Sequence, residues 1–224
     1  MKDKGIILFT KIPEIGKVKT RLVPFLTKEI CVELQTAFIK DIYDSIREMG
    51  IDIIISYAGA GDLEVLKNIV HNDIQFIKQE GQDIGEKMYH AIASALEDYN
   101  KVILIGSDIP LIHKTDLEKA FNILEDKEMV ISPTFDGGYY LIGMKTENHD
   151  IFKIEYSKSS VFEKTIENME SLGLSYGIGN ILLDIDDRED LIRLYNALKS
   201  DEHIACCNTR KIVNQIMESN EENE

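Results

Sequence analysis

The sequence is short of several things, and each shortage excludes a class of protein. It has three cysteines in 224 residues (Cys31, Cys206 and Cys207), an odd number with two adjacent and no C-x-x-C pair. That is neither a disulfide framework nor a structural zinc site. Tryptophan is absent and proline occurs four times, so no proline-rich linker divides the chain. No apolar run approaches the roughly 20 residues needed to cross a bilayer. The run Ile6-Ile7-Leu8-Phe9 is too short for the core of a signal peptide, and a soluble cytoplasmic protein is expected. Basic residues are scarce: 25 Lys+Arg stand against 40 Asp+Glu, a net charge of −15. A broad cationic surface for nucleic acid or an anionic membrane is thereby excluded. Also missing are a G-x-G-x-x-G after the first apolar run, a G-x-x-x-x-G-K-[ST] and a G-x-S-x-G elbow, and the five histidines form no H-x-x-x-H. Rossmann dinucleotide, P-loop and serine-hydrolase sites drop out with them.

What is present suits a folded α/β chain. Hydrophobic residues make up 44% of the sequence, so the acidity does not signal disorder. Strands are expected over Gly5–Lys11, Asp52–Ala58, Ile74–Gln79, Val102–Asp108, Met129–Thr134, Tyr139–Lys145 and Ile181–Asp187. Helical patterns cover Thr27–Met49, Asp62–Val70, Ile84–Asp98, Thr115–Asp126 and Arg188–Ser200, with another beginning near Ser160. Thr115 with Glu118, and Ser160 with Glu163, have capping-box spacing. Continuously apolar runs such as Val102-Ile103-Leu104-Ile105 fit strands covered on both faces. The alternation implies an α/β three-layer sandwich around a mainly parallel sheet. Phe135-Asp136-Gly137-Gly138 offers a tight connection that would make part of the sheet antiparallel, and Gly173–Asn180, with three glycines, reads as irregular. One domain is expected over residues 1–218, followed by a frayed acidic tail at 219–224.

The charge is uneven. Met1 to Arg21 holds six bases and two acids, a net of +4, which leaves −19 for the remainder. Ligands of a doubly wound sheet sit at the carboxyl ends of its strands, and the unusual residues fall there. After the first strand, Pro13 and Gly16 shape a turn carrying Lys11, Lys17, Lys19 and Arg21. Such a loop is either a phosphate cradle or a solvated basic segment. Asp108, after Gly106-Ser107, leaves a buried strand at a desolvation cost unless a cation or several donors meet it. A lone Asp there is more often a turn or cap residue than a metal ligand, and the second cluster at Asp184-Ile185-Asp186-Asp187 strengthens the metal reading. Asp184 and Asp186 share one face if their run is a strand, and Mg²⁺ takes one or two carboxylates beside phosphate oxygens. Asp187 is the natural cap of the following helix. Gln79, Gly81 and Gly85 suit a flat base lying on backbone, while Asp83 with Glu86 has a sufficient explanation as a capping box. Cys31 lies in a helix among apolar residues, as a core thiol does.

Five ordered segments carry a resemblance. They are Phe9-Thr10-Lys11-x-Pro13-x-x-Gly16-x-Val18-Lys19-Thr20-Arg21-Leu22, Gly81-x-Asp83-Ile84-Gly85-Glu86-x-Met88, Gly106-Ser107-Asp108-x-Pro110, Pro133-x-x-Asp136-Gly137-Gly138-Tyr139-x-Leu141-Ile142-Gly143 and Asp184-Ile185-Asp186. From Phe9 to about Leu191 the chain resembles the uncharacterised bacterial GT-A-like transferase family. That family is related to 2-phospholactate guanylyltransferase and, more distantly, to molybdenum cofactor guanylyltransferases. The resemblance implies a nucleotide-diphospho-sugar transferase fold with Lys11, Lys19 and Arg21 near phosphates, beside Pro13, Gly16 and Ser107. It puts Gln79, Gly81, Asp83 and Gly85 near the base, and Asp136, Gly137 and Gly138 on the acceptor side. Asp108, Asp184 and Asp186 would hold Mg²⁺ or Mn²⁺, the latter pair resembling the Asp-x-Asp of cytidylyl-sugar synthetases. Two features depart from the wider pattern: the GxGxR loop of better-known nucleotidyltransferases is absent, and the middle strand ends in a lone Asp108.

The implied reaction is transfer of a nucleoside monophosphate from a nucleoside triphosphate to a small phosphorylated or similar oxyanion acceptor, with release of pyrophosphate. Lys19, Arg21 and Asp108 would be its catalytic residues. Two alternatives stand beside it: glycosyl transfer from a nucleotide sugar, and nucleotide binding without turnover.

Overall fold

The computed structural model describes residues 1–70, 74–156, 158–201 and 204–221, the side chains of 220 and 221 excepted. In chain order the elements are β1 (Lys2–Lys11), α1 (Lys28–Arg47), β2 (Asp52–Ala58), α2 (Glu64–Ile69), β3 (Gln75–Lys78), α3 (Ile84–Leu96) and β4 (Tyr99–Gly106). There follow α4 (Lys114–Asp126), β5 (Met129–Pro133), β6 (Tyr139–Met144), α5 (Val161–Ser171), β7 (Tyr176–Ile178), α6 (Arg188–Ser200) and α7 (Cys207–Glu221), with 3-10 turns at Thr20–Leu22 and Asp150–Phe152. The seven strands form one sheet in the order β3-β2-β1-β4-β6-β5-β7. β1 pairs in parallel with β2 and β4, whereas β6 runs antiparallel to both β4 and β5. The tight connection at residues 134–138 produces this reversal, and the sheet is mixed but mostly parallel.

Side chains alternate across the strands and fill two cores. Ile6, Leu8, Ile55, Ile103 and Ile105 pack with α1, α2 and α4 on one face. Ile7, Ile54, Val102, Leu104 and Ile142 pack with α3 and α5 on the other. A third core lies outside the first. Leu34, Ala37 and Phe38 on the outer face of α1 meet Leu191, Leu194 and Leu198 of α6, Val213 and Ile216 of α7, and Ile185. Burying a side chain of this size stabilises by about 1.5–3 kcal/mol. α1 is therefore sandwiched, which accounts for the many buried residues along its 20-residue length.

Several sequence expectations need correction. Residues 181–187 are not a strand; they make one isolated bridge, Leu182 with Thr134. Their backbone donors go to different elements: Leu182 N–H to Pro133 O, Ile185 N–H to Asp108 O, and Asp186 N–H to the Asp190 carboxylate. No single neighbour could supply a ladder. Within Gly173–Asn180 lies the short β7, paired in parallel with β5 and too brief for any periodicity to show. α4 is capped two residues earlier than expected, by His113, whose Nδ1 accepts from Thr115 N–H while the Asp116 carboxylate accepts from His113 N–H. Ser160 sits at the start of α5 without a capping hydrogen bond from its side chain. Ser219–Glu221 belong to α7 rather than to a frayed tail, and 222–224 lie outside the described residues.

α7 is held from a distance. The Asp41 carboxylate, buried on α1, accepts hydrogen bonds from Asn208 N–H, Asn208 Nδ2 and Thr209 N–H, and so satisfies the first turn of a helix 167 residues away in sequence. Asp41→Ala removes three charge-assisted bonds and is expected to lower the unfolding free energy by about 2 kcal/mol, with Asp41→Asn losing less. Urea denaturation of the two variants checks this, and an unchanged midpoint for Asp41→Ala would show that the clasp contributes nothing.

Candidate functional site

The carboxyl ends of β1, β3 and β4, the β5–β6 turn and the segment 182–187 surround a cleft of about 580 Å³. A larger groove of about 800 Å³ runs between β3, α3 and Lys145–Glu147, but of the residues singled out above it contains only Gln79. Five cations (Lys11, Lys17, Lys19, Arg21, Lys87) and four carboxylates (Asp108, Asp136, Asp184, Asp186) line the smaller cleft.

Lys19 organises this space. Its backbone is left-handed, with φ +48°, the only positive φ at a non-glycine position among the described residues. That turn drives its side chain inward until it is 2% exposed. Its Nζ donates to Asp108 Oδ1 at 2.5 Å and to Ile185 O at 2.7 Å, and lies 4.8 Å from the centre of the Phe38 ring. An ammonium this buried needs such a set of partners, because desolvation otherwise outweighs any single attraction. The Cys31 thiol, itself in the core, donates to Lys19 O at 3.6 Å. Ile185 is pinned three ways: its N–H donates to Asp108 O, its carbonyl accepts from Lys19, and its side chain is buried in the outer core. Asp184 and Asp186 flank this fixed residue, so their loop holds them in the cleft without strand pairing.

The four carboxylates outnumber the two cations paired with them, Lys19 and Arg21. Burial, followed by the charges of Asp136 and Asp186, pushes the Asp184 carboxyl up to about 7. Asp186 is raised too, by burial and then by Asp108, against the opposing pull of Lys19 and Arg21. Arg21 Nη1 donates to Asp186 Oδ2 at 2.6 Å, in a pair whose arginine side chain is 66% exposed. Asp136 Oδ1 accepts from Thr134 Oγ1 and Gly138 N–H, closing the β5–β6 turn with its carboxylate toward the other acids. Among the described residues no three of these carboxylates converge on a single point. Magnesium, however, is held by one or two carboxylates with phosphate oxygens and waters rather than by an all-protein cage. An all-oxygen donor set whose carboxylates outnumber the cations paired with them fits Mg²⁺ or Mn²⁺.

Beneath the cleft, Ser107 Oγ accepts from Thr10 Oγ1 and from Gln35 Nε2, each at 2.9 Å, and ties β1, β4 and α1 together. Gln79 Nε2 donates to Thr10 O and Ser56 O, both at 3.0 Å. Two carbonyls use both amide hydrogens and fix the side chain's orientation, so only Oε1 remains to meet a ligand.

Not every residue of the motifs reaches the cleft. Pro13, Gly16, Gly81, Asp83, Gly85 and Gly137 do not line it. Asp83 caps α3, its carboxylate accepting from Glu86 N–H at 2.9 Å. Gly85 serves packing: a Cβ there would stand 2.7 Å from Phe152 O and from the Tyr156 ring. Gly137 has φ +89°, and a Cβ would lie 1.9 Å from Ser159 O, so only glycine allows the β5–β6 turn to pass that segment. Sequence reasoning missed Gln35, Lys87 and Tyr140 as cleft residues. A polar Gln35 on the apolar face of α1 was a usable signal. Lys87 was hidden inside a run fully explained as a helix start.

Residues 43–158 match the family described as "Uncharacterized protein conserved in bacteria (DUF2064)". The chain belongs to this family. It is 31% identical over 198 residues to the 2-phospho-L-lactate guanylyltransferase of Methanocaldococcus jannaschii, covering 85% of this chain and 84% of that one. A crystal structure from Desulfovibrio desulfuricans G20, described as a candidate nucleotide-diphospho-sugar transferase, superposes with a TM-score of 0.88 at 33% identity, covering 96% of this chain and 99% of that one. CMP:2-keto-3-deoxy-manno-octonic acid synthetase complexed with CTP shares the fold, with a TM-score of 0.56 at 11% identity over 90% of this chain and 100% of that one. The family member is a transferase of the nucleotidyltransferase class. The family match spans β2 to β6 and includes neither Lys19 nor Asp186, whereas the D. desulfuricans likeness extends over nearly the whole chain.

The two ion pairs of the cleft differ in burial and hence in stability contribution. Lys19→Met is expected to lower the unfolding free energy by about 2 kcal/mol or more, because Ile185 O and Asp108 lose a charged donor. Arg21→Ala removes an exposed pair and is expected to cost less than about 1 kcal/mol. Parallel urea titrations compare them, and equal losses would contradict the buried anchoring of Lys19.

Proposed function

We propose that the cleft binds a nucleoside triphosphate and transfers its nucleotidyl group to a small phosphorylated or carboxylated acceptor, releasing pyrophosphate. The observation that carries this reading is the division of one cleft into a basic wall, from the loop after β1, and an acidic group of Asp108, Asp184 and Asp186. Phosphoryl-type transfer asks little covalent chemistry of a protein; catalysis is positioning and neutralisation of charge. The basic wall supplies electrostatic attraction for the phosphates. Asp108, Asp184 and Asp186 are the residues that would hold Mg²⁺ or Mn²⁺, which when bound supplies charge neutralisation at the transferred and leaving phosphates. The Oε1 of Gln79 offers an acceptor to a base N–H, and the Asp136–Gly138 turn borders the acceptor side. The activity named for the M. jannaschii relative supports GTP as the nucleotide and a phosphorylated 2-hydroxy acid as the acceptor.

A second reading, glycosyl transfer from a nucleotide sugar, is favoured by the description of the D. desulfuricans structure. The products separate the two: nucleotidyl transfer releases pyrophosphate, glycosyl transfer a nucleoside diphosphate. The expected result is pyrophosphate release from one of the four common triphosphates in the presence of 2-phospho-L-lactate or a related acid. The release should be abolished by chelator and reduced about 100-fold or more in kcat by Asp186→Asn. Nucleoside diphosphate from a nucleotide sugar, with no pyrophosphate from any triphosphate, would transfer the assignment to the second reading.

A further inference from the structure

Five cations line the cleft, but they are not equivalent. Lys19 is fully engaged by Asp108 and Ile185 O, and only 2% of its side chain is exposed. Arg21 reaches Asp186. These two belong to the acidic group and offset part of its charge. Lys11, Lys17 and Lys87 line the same cleft, and among the described residues none of them forms an ion pair or a side-chain hydrogen bond. Lys11 and Lys17 are exposed in the loop after β1, where sequence already placed the basic island.

Lys87 comes from elsewhere. It sits in the first turn of α3, half-buried, on the stretch that also contributes Ile84 to the cleft. A lysine there opposes the positive end of the helix dipole, so the position disfavours it unless an anion is nearby. The adjacent acids do not serve: Glu86 Oε2 is taken by Gln82 N–H and Asp83 Oδ1 by Glu86 N–H. Nor does Lys87 reach the acidic group, whose recorded partners are Lys19 and Arg21. A half-buried lysine that lines a cleft without an acidic partner leaves its ammonium available to an anionic ligand.

We infer that Lys87 is a substrate-binding residue that holds an anionic oxygen, phosphate or carboxylate, of a ligand in the cleft, and that Lys19 is a positioning residue for Asp108 and Ile185. This rests on the nucleotidyl-transfer reading. The anion has two sources, the triphosphate and the acceptor, and separate titrations of each distinguish them.

The test uses the full chain, with Lys87→Ala and Lys87→Arg beside the unmodified protein. Each is assayed for pyrophosphate release while triphosphate and acceptor are varied in turn, with urea midpoints confirming that all three are folded. Lys87→Ala is expected to raise KM for one of the two substrates about tenfold, with kcat within about threefold, and Lys87→Arg to recover most of the loss. The raised KM names the source of the anion. If both KM values stay within about twofold of the unmodified protein, Lys87 is a surface lysine and the inference falls. Failure of the unmodified protein to turn over or bind any triphosphate would instead sink the nucleotidyl-transfer reading itself, a different outcome.

Discussion

The cleft depends on one buried ammonium. Lys19 brings together three segments that the sheet alone would not join: the loop after β1, the end of β4 and the stretch before α6. A neutral residue there would leave Ile185 O without its donor, and Asp108 would face Asp184 and Asp186 with less opposing charge. The left-handed backbone at Lys19 is the conformational cost of aiming the side chain inward, of the order of 1–2 kcal/mol for a non-glycine residue. Two hydrogen bonds and the face of Phe38 offset it.

The same lysine explains why the outer core matters to the chemistry. Ile185 is held from within by backbone bonds and from without by α1, α6 and α7, so the helices farthest from the sheet fix the aspartates on either side of it. Two layers of helix and a sheet would be enough to form the scaffold. The third core sets the geometry of the acidic group, which is a precision task rather than a stability task.

The sheet was largely legible because β-branched runs covered on both faces have few other interpretations, and the antiparallel turn could be read from Asp136-Gly137-Gly138. Asp108 was legible as an acid leaving a strand end, and the 184–186 pair as a second cluster of acids. The role of Lys19 was not. In a run of four bases nothing local says which one turns inward, and the choice is made by Phe38 and Ile185, which are 19 and 166 residues away. The segment 181–187 was misread for a related reason: its apolar alternation is real, but its backbone partners are scattered over β5, the loop after β4 and α6. α7 escaped notice because its N-terminal cap is supplied by α1 rather than by its own sequence.

That borrowed cap has a consequence for the order in which the molecule is made. Synthesis delivers the chain at about 5–20 residues per second, so α1 exists for many seconds before the helices that cover its outer face. During that time Leu34 and Phe38 present bare apolar surface, and the lysine side of the cleft has no acids from residues 184–186 to balance it. The nascent protein is thus a nearly finished sheet with an exposed flank. The cleft is complete only when the final helices dock and Asp41 closes on α7.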